Sequence, residues 1–89
     1  MNTVDWLSRL IAFDTTSRHS NLQLIDCVDE YLRGLGLQPW RAWNADQSKA
    51  NLFVTLPAHD GSIAGGTVLS GHTDVVPVDG QQWASDPFQ

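Results

Sequence analysis

Apolar positions at the start of the chain recur at helical spacing. Val4, Leu7 and Ile11 fall three and four residues apart on one face, and Leu10 joins them from the next ridge. Asn2, with Asp5 three residues later, caps the start. Asp14-Thr15-Thr16-Ser17 then offers side chains that compete for backbone hydrogen bonds, so the helix ends in a polar loop. A second helix follows. Ser20-Asn21-Leu22-Gln23 has the form of a capping box, with Ser20 at the cap and Gln23 reaching back. Leu24, Val28, Tyr31, Leu32 and Leu35 keep the helical period, while Gln23, Asp26, Asp29, Glu30 and Arg33 fall on the water side. Asp29 and Arg33 make a favourable i,i+4 pair, and Gly34 and Gly36 stop the helix.

From Leu37 the pattern changes to strands. Residues 37–43 read as a strand that Pro39 confines to an edge or to a late start. Residues 51–57 alternate Leu52, Val54 and Leu56 with Phe53 and Thr55, the mark of a half-buried strand. Residues 44–48 between them suit a hairpin-like connection. Residues 58–66 hold three glycines and read as a surface loop, and residues 67–70 are short and apolar enough for an interior third strand. The order is two helices and then three strands, an α/β arrangement whose few strands cannot close a sheet alone.

At 89 residues the chain can form one small core and no second domain. Ten acidic against five basic residues leave a charge of −5. Arg9, Arg18, Arg33, Arg41 and Lys49 never cluster, which argues against a nucleic-acid partner. Cys27 is alone, so neither an internal disulfide nor a cysteine zinc knuckle can form, in keeping with a reducing cytoplasm. No apolar run approaches a membrane span, and no export signal opens the chain. Gly65-Gly66 precedes a predicted strand instead of opening a helix, the wrong context for a phosphate loop.

Chemistry concentrates after the third predicted strand, in Ser70-Gly71-His72-Thr73-Asp74-Val75-Val76-Pro77-Val78. Residues two apart in extended backbone project to the same side, so His72 and Asp74 point together and Thr73 points away. Pro77 holds Val76 extended. A metal takes a neutral imidazole through one ring nitrogen, and a carboxylate on the other fixes tautomer and orientation. A structural histidine satisfied by a nearby aspartate has the same spacing, so the triplet alone leaves both readings open. His19 and His59 fall in loops and read as solvated.

The longer string Leu69-Ser70-Gly71-His72-Thr73-Asp74-Val75-Val76-Pro77-Val78, followed by Trp83 and Asp86-Pro87-Phe88, resembles the first signature of a family of zinc-dependent deacylases and exopeptidases. Acetylornithine deacetylases, succinyl-diaminopimelate desuccinylases, aminoacylases and a glutamate carboxypeptidase belong to that family. Leu10-Ile11-Ala12-Phe13-Asp14-Thr15-Thr16-Ser17-Arg18 and Ser20-Asn21-Leu22, with Leu24-Ile25, resemble the acetylornithine deacetylases most. The resemblance implies the opening portion of a zinc-exopeptidase-like mixed-sheet catalytic domain over residues 1–89, with the rest of that domain and a lid or dimerisation domain absent. It implies that His72 is a metal ligand in a two-zinc site, with cobalt as a possible substitute. Asp74 is by the same token the catalytic-site acid that orients His72. The bridging aspartate, the glutamate base and the remaining ligands of the family have no counterpart before Gln89. The implied reaction is hydrolysis of an N-acyl amino acid, best matched by N-acetyl-L-ornithine in arginine biosynthesis, by a cytoplasmic homodimer. The isolated chain is expected to bind zinc poorly, to lack turnover, and to expose strand edges and an apolar face. The competing readings are another activity of the same family (aminoacylase, dipeptidase or desuccinylase) and a small non-catalytic interaction module using Trp6, Trp40, Trp43 and Trp83.

Overall fold

A computed structural model of the chain describes residues 1–89. It contains α1 (Thr3–Ile11), α2 (Leu22–Gly34), β1 (Trp40–Trp43) and β2 (Ala50–Phe53). The two strands form one antiparallel pair, with Trp40 opposite Phe53 and Trp43 opposite Ala50. No helix is long and apolar enough to cross a membrane.

The start of α1 follows the sequence. The Asn2 side chain accepts from the Asp5 N–H at 2.9 Å, and the Asp5 carboxylate accepts from the Asn2 N–H at 3.0 Å. These reciprocal bonds satisfy donors that the first helical turn leaves free. Its predicted apolar face is a different matter: Val4 and Leu7 are exposed and no residue of α1 is buried. α1 meets α2 through Trp6 and Tyr31, whose rings pack edge-on with centroids 4.5 Å apart.

α2 begins differently from the predicted box. Asn21 occupies the cap position and makes no side-chain cap bond. Its amide instead clamps the backbone of β2, donating to the Ala50 carbonyl at 2.9 Å and accepting from the Ala50 N–H at 3.0 Å. Ser20 Oγ takes the Leu22 N–H at 3.1 Å. The core is Leu24, Ile25 and Ala50, flanked by Leu10, Phe13, Leu22, Val28 and Leu52. Tyr31 and Leu35, expected on the inner face, are exposed.

Asp29 is the main correction on this helix. It is buried, not water-facing. Arg41 and Leu52 are opposite each other, as are Trp43 and Ala50, so all four share the sheet face that meets α2. From there Arg41 Nε donates to Asp29 Oδ2 at 2.8 Å, while Arg33 Nε donates to Oδ1 at 2.5 Å. Arg41 also pairs with Asp26 at 2.8 Å. A charge removed from water persists only with such partners.

The hairpin turn is built by Asn44, whose N–H donates to the Lys49 carbonyl at 3.1 Å and whose side-chain oxygen accepts the Lys49 N–H at 3.0 Å. Gln47 takes a positive φ of 58° there. β1 starts immediately after Pro39, and β2 stops at Phe53, short of the predicted residue 57. Pro39 comes next in register opposite Val54, and the paired segment ends before it.

Residues 67–70 form no strand. Leu69 is 93% exposed and Val68 76%. An interior strand needs neighbours on both edges, and β1 and β2 pair only with each other. The architecture is therefore two helices and a two-stranded sheet. With seven buried residues the core is small. The radius of gyration is 15.5 Å, against about 12 Å for a compact domain of this length.

The Asp29 pairs give a stability prediction. Burial raises the Asp29 carboxyl, but hydrogen bonds from Arg41 and Arg33 outweigh it and hold the group below its ordinary 3.8. A lowered folded value means the stabilisation is complete above about pH 4 and is lost as pH falls through that folded value. Asp29→Asn is expected to cost about 2 kcal/mol in urea unfolding at neutral pH, discounted from a fully buried pair because Arg33 is largely exposed. Glu30→Gln, on the exposed side, should stay within about 0.5 kcal/mol.

Candidate metal-ligand site

The polar loop after α1 and the segment carrying His72 lie side by side. Thr16 and Val75 form an isolated parallel bridge. The Ser17 N–H donates to the Val75 carbonyl at 3.1 Å, and the Val75 N–H donates to the Thr15 carbonyl at 3.2 Å. Thr15 Oγ1 adds a bond to the Thr73 carbonyl at 2.5 Å. Thr15 and Thr16 are buried as a result. Asp14 shapes the loop, its Oδ1 accepting from the Thr16 N–H at 3.0 Å and the Thr16 hydroxyl at 2.6 Å.

His72 and Asp74 meet on the outer side of this segment. His72 Nδ1 lies 3.1 Å from Asp74 Oδ1 and 2.9 Å from the Asp74 carbonyl oxygen. Both neighbours are acceptors, so Nδ1 carries the proton in the neutral ring and the Nε2 lone pair is free. The other carboxylate oxygen, Oδ2, accepts from the Ser17 hydroxyl at 3.0 Å. That bond lowers the Asp74 carboxyl from its ordinary 3.8; loss of water opposes it and the His72 ring adds to it. The pair is open to solvent, with the two side chains 83% and 63% exposed. It does not project from the end of a buried strand, because the preceding residues form none.

Beside His72 runs a cleft of about 480 Å³ between the helices and the last segment of the chain. Leu10, Phe13, Val28, Val75, Trp83 and Phe88 are among its walls. The Arg18–Asp79 pair at 2.8 Å ties the far rim back to the loop after α1.

No group of three or more His, Cys, Asp or Glu side chains comes together that could hold a metal ion. His19 sits 3.8 Å from Asp14, and His59 is exposed in its loop. Zinc takes three or four protein ligands. The donor set here is one imidazole with its orienting carboxylate, which suits a single ligand and does not fill a zinc site.

Curated proteins supply the context that the geometry lacks. A protein named acetylornithine deacetylase from Proteus mirabilis is 40% identical over 81 residues, covering 86% of this chain and 19% of its own length. Its namesake from Erwinia tasmaniensis is 38% identical over the same shares. That of Pasteurella multocida is 36% identical over 89 residues, 92% of this chain and 22% of its own. The chain is similar to acetylornithine deacetylases. It spans about a fifth of the length of the curated relatives it matches. No family model and no solved structure matches.

The two-residue spacing brings His72 and Asp74 together, as predicted, while Ser17, Thr15 and Asn21 support them with no signal in the local pattern. Asn21 Nδ2 comes within 3.4 Å of Thr73 Oγ1 while it holds Ala50, so one amide links helix, hairpin and site segment. Asn21→Ala should leave the Ala50 N–H and carbonyl unpaired in a buried position and cost about 2 kcal/mol. Faster hydrogen exchange at the Ala50 amide and a lower urea midpoint are the expected readouts.

Proposed function

We propose that the chain contributes the first metal ligand, His72, and its orienting acid, Asp74, to a metal-dependent amidohydrolase that removes the acetyl group from N-acetyl-L-ornithine. What supports the reading is the pairing of His72 Nδ1 with Asp74 at 3.1 Å, which leaves Nε2 bare, in a chain similar to acetylornithine deacetylases over most of its length. In this reading the other ligands and the general base come from outside these 89 residues, and the 89 residues alone hydrolyse nothing. A pair of zinc ions held by His72 and by ligands from outside this chain would supply Lewis acidity and would lower the pKa of a bound water toward neutrality. The roles of this chain's residues are narrower. His72 offers a lone pair, and Asp74 holds the ring's other N–H and raises the basicity of that ligand. Neither attacks the substrate. A cytoplasmic homodimer acting in arginine biosynthesis is part of the same proposal.

The test is a chimaera in which the 89 residues replace the matching segment of the Proteus mirabilis relative. Release of ornithine from N-acetyl-ornithine is expected, with bound zinc. His72→Ala should lower zinc occupancy and reduce turnover by at least about 100-fold, and Asp74→Ala should weaken metal binding about 10- to 100-fold. Unchanged zinc content and turnover in both variants would overturn the reading.

A further inference from the structure

We propose that Ser17 is a positioning residue for the His72–Asp74 pair: its hydroxyl holds the Asp74 carboxylate in the rotation that keeps Oδ1 on the imidazole. The inference rests on the reading of His72 as a nitrogen ligand.

An aspartate's terminal torsion is broad, so one bond to an exposed imidazole leaves the carboxylate free to turn. The second bond, from Ser17 Oγ to Oδ2 at 3.0 Å, comes from a segment 57 residues away and removes that freedom. The hydroxyl has one proton and two acceptors in reach, Asp74 Oδ2 and the Val75 carbonyl at 3.3 Å. That carbonyl already takes the Ser17 N–H at 3.1 Å. The nearer, charged oxygen therefore receives the hydroxyl proton.

Ser17 is itself held. The Thr16–Val75 bridge fixes its backbone on one side, the Lys49 ammonium donates to its carbonyl, and Arg18 is anchored on Asp79. A hydroxyl on a pinned backbone transmits position, which one on a loose loop cannot do. Should the carboxylate swing away, the ring keeps only the Asp74 carbonyl at 2.9 Å, and the Nε2–H tautomer gains population. That form has no lone pair to offer a metal at Nε2.

The experiment reads the tautomer and needs no metal. Ring nitrogens of the ¹⁵N-labelled chain are observed at about pH 8.5, on the alkaline plateau where the spectrum no longer changes with pH. His72→Gln identifies the His72 signals, and unchanged Leu24 and Ile25 amide shifts report that each variant is folded. The parent chain is expected to show Nδ1–H as the majority form. Ser17→Ala should lower the Nδ1–H to Nε2–H ratio about fivefold, the effect of one hydrogen bond of about 1 kcal/mol. Ser17→Thr, which keeps a hydroxyl, should restore it. Should Ser17→Ala not fold, Ser17→Cys, with its weak donor, should give the same fall. A majority Nδ1–H form that is insensitive to Ser17→Ala, or lowered equally by Ser17→Thr, overturns the role of Ser17 and leaves the ligand reading standing. A majority Nε2–H form in the parent chain overturns both.

Discussion

The short parallel bridge between the loop after α1 and the segment around Val75 carries the local order of this molecule. Two backbone bonds join Ser17 and Thr15 to Val75, and the Thr15 hydroxyl adds a third bond to the Thr73 carbonyl. Residues 67–71 before it and 79–86 after it are exposed. The bridge holds His72 and Asp74 beside the helices, and Asn21 adds a contact from the start of α2 to Thr73. The bridge is possible because Asp14 turns the chain out of α1 and leaves the Thr15 carbonyl and the Ser17 N–H free to pair.

A second constraint sets the hairpin on α2. Ala50 is small enough to sit against Leu24 and Ile25, and Asn21 satisfies its backbone from the helix start. Asp29 and Arg41 fasten the same face further along. The outer face, with Trp40 and Phe53, stays in solvent. The tryptophans thus divide by position: Trp6 packs on Tyr31 and Trp83 lines the cleft, while Trp40 lies on the outer sheet face.

Local rules were readable from the sequence, and long-range ones were not. The Asn2–Asp5 box, the late start after Pro39 and the His72–Asp74 proximity each depend on residues within four positions of one another. Helical periodicity puts Asp29 in water because its partner Arg41 is 12 residues away, on a strand whose facing that periodicity does not carry. Ser17 and Thr15 read as helix terminators, yet α1 ends at Ile11, before either of them. Their bonds to Asp74 and Thr73 span 57 and 58 residues, and spacing carries no signal at that distance. The third strand failed for another reason. An apolar run specifies burial, but a strand also needs a neighbour, and the paired edges of β1 and β2 do not provide one for residues 67–70.

The hydrogen-bond inventory around Asp74 narrows what its neighbourhood can do. Oδ1 and the main-chain carbonyl face the imidazole Nδ1, and Oδ2 faces a hydroxyl. Both carboxylate oxygens are thus engaged, and the ring is left with a single unpaired lone pair, on Nε2. The open nitrogen belongs to the histidine, and Asp74 engages the opposite one. The orientation of the pair is built from residues 15–17 and 72–75 of this chain.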